Sequence, residues 1–173
     1  MALDAEDRLR LDYEQTTEVV RSLTDIRFKL LAFVPTIAGA AVGAFGSPRA
    51  AAELMAVGLL GLAATLGILV YELRNSQVRA AALRHAGELE QLLELRSGRT
   101  EPPGASRLFG VLPLKHDVGL ALVYGAAFAG WAYLVSWGAL GGLDVPGARD
   151  LGVAVGAVVG AVVAAEVIRV EPT

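Results

Sequence analysis

Cysteine is missing from all 173 residues, histidine occurs twice, and charged side chains make up only 19% of the chain. Without cysteine there is no disulfide framework and no thiolate metal site. Soluble domains carry nearer a quarter charged residues, so the low charge and the mean hydropathy of +0.52 point toward a membrane. The net charge of −3 gives no electrostatic footprint for nucleic acid. Also missing are a nucleophile with a base at fixed spacing, a glycine-rich phosphate loop, and a His-Glu zinc motif. The reading is therefore of a protein that is no enzyme, with no cofactor and no metal. The first 27 residues are charged and amphipathic, unlike a leader with a short basic start and an apolar core. The first apolar run accordingly reads as a retained span.

What is present is apolar sequence in long blocks. Four stretches, 28–46, 54–73, 118–140 and 151–168, are nearly free of charge inside and approach the roughly 20 residues a bilayer needs. The fold class they imply is all-α: a polytopic membrane protein with four transmembrane helices, two of them extended by cytoplasmic helices. Of the 15 Lys and Arg, only Arg49 and Arg149 fall on one side of these spans. The positive-inside rule then puts both termini and the long central segment in the cytoplasm, in a bacterial inner membrane. The organisation reads as a cytoplasmic amphipathic helix (1–27), a first transmembrane hairpin (28–73), a cytoplasmic helix and Pro/Gly loop (74–117), a second hairpin (118–168) and a short tail (169–173).

The cytoplasmic parts carry helical periodicity. Leu9, Tyr13, Val20, Leu23 and Ile26 recur on one face and lead without a breaker into the first span. After the second span, Val78, Ala82, His85, Leu89, Leu92 and Arg96 alternate steps of four and three, the pattern of a short coiled-coil seam. His85 reads as a packed or interface residue on that seam, and His116 as a solvated residue at the mouth of the third span. "SGRTEPPGAS" (97–106) breaks the helix into a loop. "RLFGVLPLKHD" (107–117) reads as an interfacial lead-in to the third span.

Three groups of residues stand out as candidate sites. In the first span, Ala32, Pro35, Thr36, Gly39, Gly43 and Gly46 share a small, slightly polar face, with Leu30, Phe33, Val34 and Ile37 turned the other way. Pro35 frees a backbone carbonyl, and the Thr36 hydroxyl can bond back to the Ala32 or Phe33 carbonyl. That face either packs against a helix or lines a pore. In the fourth span, Gly152, Gly156, Gly160 and Ala164 recur every four residues as a ridge that admits a close partner helix, within the protomer or from a neighbour. Gly58, Gly61 and Thr65 in the second span and Ala126 and Gly130 in the third add further small positions, while Tyr133 and Trp137 suit an aromatic interface belt. Finally, Glu72 and Glu166 lie toward the cytoplasmic ends of their spans. They read either as a candidate acidic mouth or as ordinary interfacial acids.

The layout of Glu6 to Arg96, an N-terminal helix, two spans and a following cytoplasmic helix, resembles the SLATT group of small bacterial membrane effector modules. The third and fourth spans lie outside that plan. The resemblance implies a membrane pore acting in defence or stress responses. The expected function is thus a small oligomeric channel- or pore-like protein. The alternative is a non-conducting scaffold or sensor that binds a cytoplasmic protein partner through its helices. Expected partners are the lipid bilayer and further copies of the chain.

Overall fold

The computed structural model describes residues 4–43, 50–95, 107–108, 112–113 and 116–170, and within these all side chains except those of 31, 35, 37–43, 107–108, 112–113 and 116–117. The elements in order are α1 (Ala5–Gly43), α2 (Ala51–Leu92), β1 (Arg107–Leu108), β2 (Leu112–Pro113), α3 (His116–Gly142) and α4 (Ala148–Val170). The fold is all-α. The two strands form a two-rung antiparallel ladder, Arg107 opposite Pro113 and Leu108 opposite Leu112, where an interfacial lead-in is expected. The loop expected at 97–106 lies outside the described residues.

Helix length follows from the absence of internal breakers. At 1.5 Å per residue, the 39 residues of α1 and 42 of α2 extend about 58 and 63 Å. That is about twice the ~30 Å hydrocarbon layer of a bilayer. The 27 residues of α3 and 23 of α4 extend about 40 and 35 Å. Among the described residues three helices, α2, α3 and α4, are long and apolar enough to cross a membrane. The expected first span, 28–46, occupies the C-terminal part of α1 and ends in residues beyond the described ones. α1 continues through Pro35, and the Thr36 hydroxyl donates to the Ala32 carbonyl at 2.8 Å. The carbonyl that Pro35 frees is that of Leu31, one residue before the acceptor of this bond.

α2 and α3 end in the same way. The Leu95 amide donates to the Glu90 carbonyl at 2.9 Å across Glu94, and the Val145 amide to the Leu140 carbonyl at 3.0 Å across Asp144. Glu94 and Asp144 both have φ of 53°. These are Schellman caps built on a left-handed residue.

Neighbouring helices run antiparallel, and α3 is central, packing on α4 and α2 and touching α1 more lightly. Where α3 meets its two large neighbours, glycine lets backbones approach. A Cβ on Gly156 would lie 2.6 Å from the Ala129 carbonyl oxygen, and one on Gly160 2.6 Å from the Gly125 carbonyl oxygen. Gly152 faces Tyr133 and Trp137, and Ala164 faces Gly125. The expected α4 ridge thus meets α3 of the same chain. On α2, Gly61 lies under the Trp131 indole and Gly58 against Val135. Ala126 and Gly130 are exposed, a correction to their expected packing role. Helix rotation puts Gly125 and Ala129 on the α4 side instead.

The core is apolar and centred on α3. Val34, Leu69, Leu120, Ala121, Tyr124, Phe128 and Val167 form one buried cluster. Trp131 donates its indole N–H to the buried Thr65 hydroxyl at 2.9 Å. Burying a tryptophan requires such a partner for its polar end. Toward the α3–α4 turn, Tyr133 and Trp137 stack with centroids 5.5 Å apart, and the Arg149 guanidinium sits 6.0 Å from the Trp137 ring.

Candidate functional site

Along α2, Glu72 lies about 32 Å from Ala51, roughly one hydrocarbon thickness. Here α1 and α2 part from α3 and α4 and continue as a two-helix hairpin. At this level the Arg27 guanidinium Nε and a Glu72 carboxylate oxygen form an ion pair. Glu72 has no exposed surface and Arg27 is 6% exposed. Taking two charges out of water costs several kcal/mol per ion in real proteins, about what their attraction returns when the geometry is good. The pair therefore acts more by fixing register than by adding net stability.

That register bears on the faces of both helices. With Arg27 turned inward, position 34, two turns on, faces inward as well, and Val34 is 3% exposed. Of the expected small face, the two positions with described surroundings, Ala32 and Thr36, are exposed, and Phe33 beside them is 60% exposed. Pro35, Gly39 and Gly43 lie in α1 without described surroundings, and Gly46 lies outside the described residues. On α2 the buried face beyond Glu72 runs through Ala86, Leu89 and Glu90, with Asn75, Ser76 and Arg79 half-buried on it. Of the expected seam, Leu89 is buried and Ala82 half-buried, as expected. Val78 and Leu92 are exposed and His85 is half-exposed, because the helix is rotated to present Glu72 to Arg27. Arg96 lies beyond the described residues.

Within one chain the two acids of the candidate mouth differ in setting. Glu72 is closed off by Arg27, whereas Glu166 is exposed and pairs with Arg169 at 3.3 Å on its own helix. The structure does not bring the two acids together.

Beyond the ion pair the hairpin is held by spaced polar links. The Tyr13 hydroxyl donates to Glu90 Oε1 at 2.9 Å, and His85 Nε2 lies 3.1 Å from Asp12 Oδ2. The other ring nitrogen of His85 lies 3.7 Å from Glu88. Thr24 donates its hydroxyl to the Val20 carbonyl at 2.8 Å, so it is satisfied within α1. Leu11 and Val19 on α1 and Val78, Leu92 and Leu95 on α2 remain exposed. Sequence reasoning missed Arg27–Glu72, Tyr13–Glu90, Asp12–His85 and Thr65–Trp131. The first three were detectable in principle, since antiparallel pairing of the two long helices brings together positions whose numbers sum to about 100.

Chemically the arrangement offers a charged contact at a helix junction and a hairpin with a mixed surface. Among the described residues no three His, Asp or Glu side chains are grouped to hold a metal ion. Comparison with protein-family models, with curated proteins and with solved structures finds no match to this chain.

Proposed function

We propose that this protein is a four-span bacterial inner-membrane anchor presenting the α1/α2 hairpin to a cytoplasmic protein partner. In this reading residues 28–46 cross the bilayer beside the three apolar helices. Both termini lie inside, and α1 and α2 emerge at Arg27–Glu72. The observation that carries the reading is the contrast on either side of that pair. On the membrane side, the small faces of α2 and α4 are filled by α3, and the core is closed by Tyr124, Phe128 and Trp131. Beyond the pair, two helices joined by spaced polar links keep Leu11, Val19, Val78, Leu92 and Leu95 exposed where lipid would not cover them. Exposed apolar groups outside a membrane mark interaction surfaces. The test uses the full chain in native membranes with photo-crosslinking residues at Val78 and Leu92. A discrete crosslinked protein, lost in Val78→Ser/Leu92→Ser, supports the reading. Absence of any adduct, together with ion flux from the purified protein, rejects it.

A second reading has one observation in its favour. Ala32 and Thr36 are exposed on the membrane part of α1, so copies of the chain could bring this small, slightly polar face together around a water path. The layout resemblance to SLATT-type modules adds to this pore reading. Liposome flux that disappears in Thr36→Leu would establish it over the first. Silent liposomes at every protein density would remove it.

A further inference from the structure

Charge is unevenly spread along the α1/α2 hairpin. In the band nearest the bundle, 21–29 on α1 and 72–84 on α2, Arg27 cancels Glu72 and Arg21 pairs with Glu18 at 3.5 Å. Lys29, Arg74, Arg79 and Arg84 are left against Asp25. Further along, five acids in 4–14 and three in 88–94 stand against Arg8 and Arg10. Within the basic band, two donors are buried with no acceptor among the described residues: Asn75 Nδ2 and Arg79 Nε. They sit one turn apart on the face of α2 that carries Glu72 and Ala86. Opposite, at 20–27, α1 presents half-buried Val20, Leu23, Thr24 and Ile26. The Thr24 hydroxyl is turned to the Val20 carbonyl, and Asp25 is exposed. The Arg27–Glu72 pair bounds this cleft on one side, and the Asp12–His85 and Tyr13–Glu90 links bound it on the other.

A buried donor left unpaired is costly, and more so on a charged group. Water would satisfy the two N–H groups and leave the guanidinium charge uncancelled. A phosphate does both, since its oxygens accept from an arginine through charge-assisted bonds. Depth says where such a group comes from. α2 reaches Glu72 after about one hydrocarbon thickness, so the backbone at Asn75 and Arg79 lies about 4.5 and 10.5 Å beyond it. Side chains on a helix lean toward its N-terminus, here back toward the bilayer. Both donors thus come to the level of the headgroup layer, about 5–8 Å deep on each face.

We propose that Asn75 and Arg79 form a phosphate-binding site between α1 and α2, occupied in the membrane by the headgroup phosphate of an anionic phospholipid. The exposed Lys29, Arg74 and Arg84 attract such lipids to the site, and the acidic far end of the hairpin is repelled from the same surface. The site rests on the membrane placement proposed above, with Arg27–Glu72 at the inner face. It needs neither a protein partner nor ion flux, so its failure and that of the anchor reading are read separately.

Native mass spectrometry of the full chain, released from neutral detergent with equal amounts of phosphatidylglycerol and phosphatidylcholine, counts the lipid that stays bound. One phosphatidylglycerol per chain is expected, favoured about tenfold or more over phosphatidylcholine. Arg79→Met and Asn75→Leu should each weaken its retention about tenfold or more, the effect of one hydrogen bond to a charged group. Arg84→Met, which removes an exposed cation of the same band, should retain it. In lipid-free detergent Arg79→Met should unfold no earlier than the native protein, because the buried Nε has no partner to lose. Equal retention of the two lipids, an equal loss in Arg84→Met, or early unfolding of lipid-free Arg79→Met would each overturn the site. Displacement of the lipid by millimolar inorganic phosphate would overturn the lipid as its occupant.

Discussion

Gly156→Ala tests whether the α3–α4 contact is as close as the geometry requires. The new Cβ would lie 2.6 Å from the Ala129 carbonyl oxygen and 3.2 Å from Tyr133 Cβ. A carbon rests about 3.3 Å or more from a carbonyl oxygen, so the helices must part by about 0.7 Å at this point. The obstacle is backbone on a straight helix, which cannot swing aside as a side-chain tip can. A gap of 0.5–1 Å forfeits about a quarter to a half of the dispersion attraction along the ridge, including the Gly160 and Gly152 contacts one turn either way. Overpacking of this kind costs about 1–3 kcal/mol, and removing a mid-helix glycine returns about 0.5–1. The net expectation is a loss of about 1–2 kcal/mol, a factor of roughly 5–30 in the folded-to-unfolded ratio. Gly130 is the internal control, because a Cβ there meets nothing within 4 Å. Gly130→Ala should stabilise by up to about 1 kcal/mol. Denaturant titration in detergent reads both variants through Trp131 and Trp137, which both lie on α3. Gly156→Ala unfolding at or above the midpoint of Gly130→Ala would refute the packing argument.

Further outcomes follow from single contacts. Trp131→Phe and Thr65→Val each break the buried 2.9 Å bond and should cost about 1–3 kcal/mol, the upper end where the remaining polar group is left dry. The double variant should cost clearly less than the sum, and strict additivity in the unfolding midpoints would show that the bond is absent. Tyr13→Phe removes the link to Glu90 and should leave the Trp-reported midpoint unchanged while speeding amide exchange in 80–92, since the hairpin lies beyond the bundle. Equal exchange in both proteins would contradict the separation of hairpin and bundle. Glu94→Gly relieves a left-handed glutamate at the end of α2 and should gain about 0.5–1 kcal/mol of local stability, read as slower exchange of the last turn.

The parts of the fold that were legible in the sequence are those set by composition over many residues. The apolar runs of α2, α3 and α4 need no partner to be recognised, since a helix apolar on all faces for this long has few places to go. The every-four spacing of Gly152, Gly156, Gly160 and Ala164 was equally plain, because the α4 ridge depends only on what glycine lacks. What it packs against was not plain, since a ridge fits any close helix and only the topology chooses α3. The same limit explains Ala126 and Gly130. They have the right chemistry for a contact, but the α3 helix is rotated so that Gly125 and Ala129 occupy it.

Rotation is also where the reading of α1 and α2 went astray, and the cause is one contact. Apolar periodicity places Phe33 and Val34 together and sets Ala32 and Thr36 opposite them. It places a seam through Val78, Ala82, His85, Leu89 and Leu92, of which Leu89 is buried. Both assignments treat a charge near a span end as belonging to water. Arg27 and Glu72 instead meet inside, 45 positions apart in the chain, and a closed ion pair tolerates almost no rotation of either helix. Because the helices are continuous, that single constraint reaches in both directions. It turns Val34 inward on one side, and on the other it brings Ala86 and Glu90 onto the buried face beside the expected Leu89. A pattern of hydrophobicity averages over a whole helix, whereas a long-range ion pair fixes its angle from one residue. Where the two disagree the ion pair wins, because an unpaired buried charge costs more than a few leucines left facing outward.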